Sequence, residues 1–136
     1  MRILAPITLL ILALAMVQPV AAQSFKPDFK VGDAAYDRKD YTTALKHFRP
    51  LAEQGHARAQ FNLGLMYLVG KGVTEDDAEA VRWWRKAANQ GYPMAQNNLG
   101  VAYERGAGVT QDTAEALRWF RLAANQGIAR AQNSLA

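Results

Sequence analysis

Residues 59–94 read AQFNLGLMYLVGKGVTEDDAEAVRWWRKAANQGYPM, and residues 95–130 read AQNNLGVAYERGAGVTQDTAEALRWFRLAANQGIAR. Set one above the other, 22 of the 36 positions are identical. Self-similarity at a fixed period of this length marks a repeat architecture, in which one supersecondary unit recurs and neighbours cover one another. Residues 131–136, AQNSLA, begin a further copy. Upstream, residues 32–58 form a shorter, diverged one. Gly32 and Ala44 are twelve apart there, whereas Gly64 and Ala80, like Gly100 and Ala116, are sixteen apart. The later copies therefore carry four additional residues between their two halves.

Each full copy reads as two helices. The first, about 57–69, places Ala59, Leu63, Met66 and Tyr67 at helical spacing and should stop at Gly70, where Gly-x-Gly permits positive φ. Asp76 is a good N-cap for a second helix over about 77–90, in which Ala80, Trp83, Ala87 and Ala88 share a face. Gly91 follows where a left-handed C-terminal residue is expected, and Pro93 suits the first turn of the next helix. The pattern recurs with Gly106, Gly108, Asp112, Ala116, Trp119, Ala123, Ala124 and Gly127. In the first copy Asp40 should cap a helix over 41–54 that Pro50 kinks. One helix pair cannot cover its apolar face alone, so the units must stack. The expected fold is all-α: a short right-handed α-solenoid of antiparallel helix pairs, with units at about 27–56, 57–92 and 93–128 and a partial unit at 129–136. Alanines at 59, 80, 88, 95, 116 and 124 allow close backbone approach, and Trp83, Trp119, Tyr67 and Tyr103 fill the remaining space.

The N-terminal stretch is of another kind. Met1-Arg2 precede an apolar run over 3–17, followed by Gln18-Pro19-Val20-Ala21-Ala22. A basic start, a short apolar segment and a small-residue exit compose a secretory signal peptide over 1–22, with cleavage expected after Ala22. Retention as an N-terminal anchor is the alternative. Export without any cysteine points to a bacterial periplasmic or secreted protein. No second apolar segment follows, so no membrane contact is expected after cleavage. Losing Arg2 lowers the formal charge from +4 to +3, a mild excess that implies no nucleic-acid partner.

Composition removes much chemistry. Zero cysteine excludes a disulfide framework, a thiolate metal site and a cysteine nucleophile, and the two serines, Ser24 and Ser134, lie near the ends of the mature chain. Gly70-Lys71-Gly72 is no phosphate loop, because Lys71 precedes glycine rather than Ser or Thr and its counterpart one repeat on is Ala107. His47 stands where later copies have Trp83 and Trp119, which makes it a packing residue; His56 sits at a helix start. No shared metal, cofactor or catalytic constellation is expected. Arg82, Arg85 and Lys86 recur in part as Arg118 and Arg121, with Glu79 and Glu115 three residues ahead of an arginine. A solvated face with local ion pairs is the favoured account, and a basic track for an acidic partner is the other.

The series Ala59, Leu63-Gly64, Tyr67, Gly70-x-Gly72-Val73, Asp76, Ala80, Trp83, Ala87-Ala88, Gly91, met again 36 residues later, resembles the Sel-1-like repeats, relatives of the tetratricopeptide repeats. Gly32, Asp40-Tyr41, Ala44 and Phe48 look more like a plain tetratricopeptide motif. The resemblance implies a non-enzymatic scaffold that holds another protein or peptide, an adaptor or regulator. A self-associating structural repeat, meeting its copies through the C-terminal end, is the alternative, and a binder of cell-wall fragments or β-lactams a weaker one. In such stacks the first helix of each unit lines the concave side. Positions there that escape the packing pattern are Arg58, Phe61, Asn62, Leu65 and Leu68, then Met94, Asn97, Asn98, Val101 and Glu104, then Arg130. Asn62 and Asn98 precede the Leu-Gly pair, where peptide-binding relatives often hold a ligand-contacting asparagine. They serve either a ligand or a hydrogen bond to a neighbouring helix.

Overall fold

Aspartates start four of the helices. Asp28 accepts from the Lys30 and Val31 N–H groups at 2.8 and 3.3 Å, Asp40 from Thr43 at 3.1 Å, Asp76 from Glu79 at 3.0 Å and Asp112 from Glu115 at 3.1 Å. Each satisfies backbone donors that the first helical turn leaves without partners. The computed structural model describes residues 24–127, together with Ile3. Among them are six helices and no strand: α1 (Phe29–Asp37), α2 (Tyr41–Glu53), α3 (Ala57–Val69), α4 (Asp77–Asn89), α5 (Pro93–Arg105) and α6 (Thr113–Ala124). The expected signal segment, apart from exposed Ile3, and the partial unit at 129–136 lie outside the described residues.

Helices α3 and α5 end on Gly70 and Gly106, at φ +65° and +67°, in the left-handed region that a Cβ disfavours. Gly91 follows α4 at φ +88°, and α5 opens on Pro93. Helix α2 runs on through Pro50 to Glu53. Packing is between chain neighbours, α1 on α2, α2 on α3, and so to α6, which makes the molecule an all-α solenoid.

Its core is continuous across units. Met66 of the second unit packs with Ala35, Ala44 and Phe48 of the first, and Trp83 with Ala52, Ala59 and Leu63. Trp119 joins Phe61, Trp84, Ala88, Ala95 and Leu99. Phe48, Leu63, Met66 and Leu99 are wholly buried, each contributing about 1.5–3 kcal/mol by leaving water. His47 packs as expected of a tryptophan's stand-in: its Nδ1 accepts the Asp28 N–H at 2.9 Å and its ring meets Phe25 edge-on at 5.0 Å.

Inside each unit the first helix touches the second through a glycine. A Cβ on Gly100 would lie 2.7 Å from the Phe120 ring, one on Gly32 would lie 2.8 Å from Phe48, and one on Gly64 would overlap the Trp84 indole. Trp84 is buried, and its Nε1 donates to the Phe61 carbonyl at 3.3 Å. A second device crosses the units. Gln60 donates to the Ala52 carbonyl at 3.0 Å and accepts from Gln90 at 2.8 Å. One repeat on, Gln96 donates to Ala88 at 3.2 Å and accepts from Gln126 at 2.8 Å. The relay adds a side-chain donor to carbonyls that also accept from the Gly55 and Gly91 N–H groups, at 3.1 and 2.9 Å.

The linker between α3 and α4 is clamped to the first unit. Lys71 Nζ donates to the Tyr36 hydroxyl at 3.1 Å and lies over the rings of Tyr36 and Tyr41, at 4.8 and 5.4 Å. The Tyr36 hydrogen bond holds the Lys71 pKa above its usual value. At the start of α2, hydrogen bonds from Thr43 hold the Asp40 carboxyl below its usual value.

Candidate functional site

The first helices of successive units run side by side and leave two grooves between them. The groove between α1 and α3 has a volume of about 170 Å³ and is lined by Asp33, Tyr36, Asp37, Asn62 and Leu65. The groove between α3 and α5 has a volume of about 210 Å³. Leu68 of α3 forms one wall, Asp77, Val81 and Trp84 of α4 line it, and Asn98, Val101, Ala102 and Arg105 of α5, with Ala107, form the other wall. The two are related by the repeat, since Asn62 and Leu65 of the first correspond to Asn98 and Val101 of the second.

Helix geometry explains why these residues share the grooves. Asn62 and Leu65, three apart on α3, stand on one face, and so do Asn98 and Val101 on α5. Leu63 and Leu99, one residue on, point into the core and are buried. Neither Asn62 nor Asn98 spends its side-chain amide on a hydrogen bond to another described residue. A bond from these amides to a neighbouring helix is therefore not what the structure shows.

Two of the expected row members lie elsewhere. Phe61 is buried, with its ring 5.3 Å from Tyr92. Asn97 is buried at the equivalent position, and its Oδ1 has no hydrogen-bond partner. The position is one residue before the groove-facing asparagine, a turn of about 100° that carries the side chain toward the adjoining unit. Arg58 is exposed, but its guanidinium is engaged by Asp33 at 3.7 Å and lies over the Phe29 ring at 4.6 Å. Met94 is exposed at the start of α5. Arg130 lies outside the described residues.

Other groove residues were not singled out from the sequence. Tyr36, Asp33 and Asp37 belong to a first helix whose sequence has diverged, and Trp84 stands one residue past the tryptophan that was read as core. Their signal was Gly64: a glycine recurring inside a helix every 36 residues demands a close neighbour, and that neighbour is Trp84 or Phe120.

The basic residues of the second helices are engaged locally. Arg82 pairs with Glu79 at 3.0 Å and Arg118 with Glu115 at 3.1 Å, both exposed and worth little. Arg85 donates to the Tyr103 hydroxyl at 2.8 Å, and Arg49 to that of Tyr67 at 3.3 Å. Among the described residues no group of three or more His, Cys, Asp or Glu is placed to hold a metal ion, and no helix is long and apolar enough to cross a membrane.

Comparison with known proteins sets this geometry in a family. The Sel1 repeat model matches residues 32–56, 57–92 and 93–128. An exopolysaccharide production negative regulator of Rhizobium leguminosarum bv. viciae is 42% identical over 52 residues, which are 38% of this chain and 20% of that protein. Among solved structures, a protective antigen of uropathogenic Escherichia coli with an SLR fold aligns at TM-score 0.75 and 47% identity, over 78% of this chain and 24% of its own. A Sel1 repeat protein from Oxalobacter formigenes aligns at TM-score 0.75 and 36% identity, over 79% of this chain and 44% of its own. Cysteine-rich protein B of Helicobacter pylori shares the fold, at TM-score 0.63 and 24% identity over 65% of this chain and 67% of its own. The chain thus spans less than half the length of the regulator, the antigen and the Oxalobacter protein. By repeats that cover most of its length, the chain belongs to the Sel1 repeat family.

Proposed function

We propose that this chain is an exported interaction scaffold that holds an extended peptide or protein loop along the grooves of its first helices. Sel1 repeats are a scaffold typical of protein–protein interaction, and the leader read over 1–22 motivates export. The observation that carries the reading is the pair Asn62 and Asn98. Each stands on a groove wall, one repeat apart, with a primary amide that no described residue uses. An asparagine amide both donates and accepts, so it can bridge the N–H and C=O of one peptide residue, whatever that residue's side chain. Two amides one repeat apart would then fix the direction and register of an extended chain, while Leu65 and Val101 beside them offer apolar contact.

The Rhizobium relative, named as a negative regulator, supports a regulatory form of the same reading: a scaffold acts by occupying its partner. The test is crosslinking of the exported protein in its own cell, with the partner identified and then titrated against purified variants. Asn62→Ala with Asn98→Ala should weaken the partner about tenfold or more, two hydrogen-bond pairs being removed, while the melting temperature stays within a few degrees. Unchanged affinity in the double variant refutes the groove reading. Growth of particle size with concentration in the absence of a partner would favour self-association instead.

A further inference from the structure

The two grooves are equivalent by repeat but not in chemistry. Aligning Gly32 with Gly64, each of which closes on an aromatic ring of the following helix, sets Asp33 of α1 against Leu65 of α3, Tyr36 against Leu68, and Asp37 against Val69. The wall that α1 contributes to its groove therefore carries two carboxylates and a phenol. The wall that α3 contributes to the next is aliphatic, and Val81, Trp84, Val101 and Ala102 continue it, with one acid and one base, Asp77 and Arg105, as the charged residues of its lining.

From this asymmetry, and resting on the peptide-holding role proposed above, we propose that the row selects an extended segment with a lysine or arginine followed or preceded at short spacing by a large apolar residue. The cation enters the α1–α3 groove and the apolar side chain the α3–α5 groove.

Charge complementarity supports the first half. Asp37 makes no ion pair among the described residues. Asp33 has only the 3.7 Å contact with Arg58, whose side chain is 57% exposed and already shared with the Phe29 ring. An exposed contact of that length is weak and readily exchanged for an incoming cation. Leu65 would take the aliphatic stem beside Tyr36, whose hydroxyl and ring already hold Lys71, and both carboxylates can accept from the charged head. An acidic side chain placed there meets two like charges.

Apolar burial supports the second half. Leu68 is exposed to 36% and Val101 is half-buried, and covering their apolar surface is worth about 25 cal/mol per Å². The grooves are separated by the width of α3, about 10 Å, which about three extended residues span.

The experiment uses the full chain and an oriented library of acetylated, amidated dodecapeptides, so that no terminal charge competes. Expected is enrichment of Lys or Arg together with Leu, Ile or Phe two to four positions away. In the enriched sequence, exchanging the cation for Glu should weaken binding at least tenfold, and Asp33→Lys with Asp37→Lys should reverse that preference. Asp37→Asn, the milder change, should lower the Lys preference by a few-fold with helicity unchanged. Leu68→Asp should shift the second selected position from apolar to basic. If selected peptides depend on Asn62 and Asn98 yet show no cation preference, or keep it in the Asp33/Asp37 variant, this inference falls and the scaffold reading stands. If no sequence is enriched, or binding ignores Asn62 and Asn98, both fall.

Discussion

Replacing Gly64 by alanine tests the packing on which the whole stack depends. On an isolated helix the change is favourable by about 1 kcal/mol, because glycine is the poorer helix former. In this fold the added Cβ would overlap Trp84 Nε1 and Cδ1 and lie 3.1 Å from the Ala80 carbonyl oxygen. The indole cannot step aside freely, since it is 4% exposed, wedged among Phe61, Val81 and Ala87, and tied to the Phe61 carbonyl at 3.3 Å. Overpacking a filled site costs about 1–3 kcal/mol, and losing the indole hydrogen bond adds about 1 kcal/mol. Set against the propensity gain, the net loss is about 1–3 kcal/mol, or a fall of about 5–20 °C in melting temperature for a domain of this size. Circular dichroism at the helical minimum measures it. Trp84→Leu alone should also destabilise, by about 2 kcal/mol through the cavity it leaves. Combined with Gly64→Ala it should cost at least about 1 kcal/mol less than the two losses together, because the smaller side chain makes room for the new methyl. A Gly64→Ala protein that melts at or above the parent temperature refutes the close approach of α3 and α4.

Three further outcomes follow from contacts elsewhere. Gln96→Leu removes one of the donors to the Ala88 carbonyl and the acceptor for Gln126, so it should destabilise by about 1 kcal/mol in denaturant unfolding although the new side chain is apolar. Asp112→Ala deletes the cap on the Glu115 N–H and should cost about 1 kcal/mol, with amide exchange accelerated first in the opening turn of α6. Lys71 has its pKa raised by the Tyr36 hydrogen bond, so the stability this gives is full below the unfolded lysine value and fades as pH rises through the higher folded one. The difference in melting temperature between the parent and Lys71→Met should therefore shrink from about pH 8 to about pH 11.5.

Helix boundaries were legible in the sequence because they are set locally. Asp76 and Asp112 cap, and Gly70 and Gly106 terminate, through contacts within a few residues of themselves. The 36-residue period announced the stack for the same reason: every unit has the same unburied stripe, so each must find a neighbour. His47 could be read as a packing residue from its register alone. Phe61 and Asn97 could not be placed, because a residue on the edge of a helix's apolar stripe is buried or exposed according to how the neighbouring elements come to lie, as Tyr92 does against Phe61.

What the sequence by itself determined is the all-α repeat and the ends of its helices, since capping, chain direction and periodicity act over a turn or two of backbone. Only the tertiary structure decided which side chains distant in sequence meet. The Gln60–Gln90 and Gln96–Gln126 relay and the linings of the two grooves join residues tens of positions apart, and their proximity depends on how each helix is rotated against the next. That rotation is set by interlocking volumes, a glycine facing an indole or a phenyl ring, which no single element carries in its own sequence.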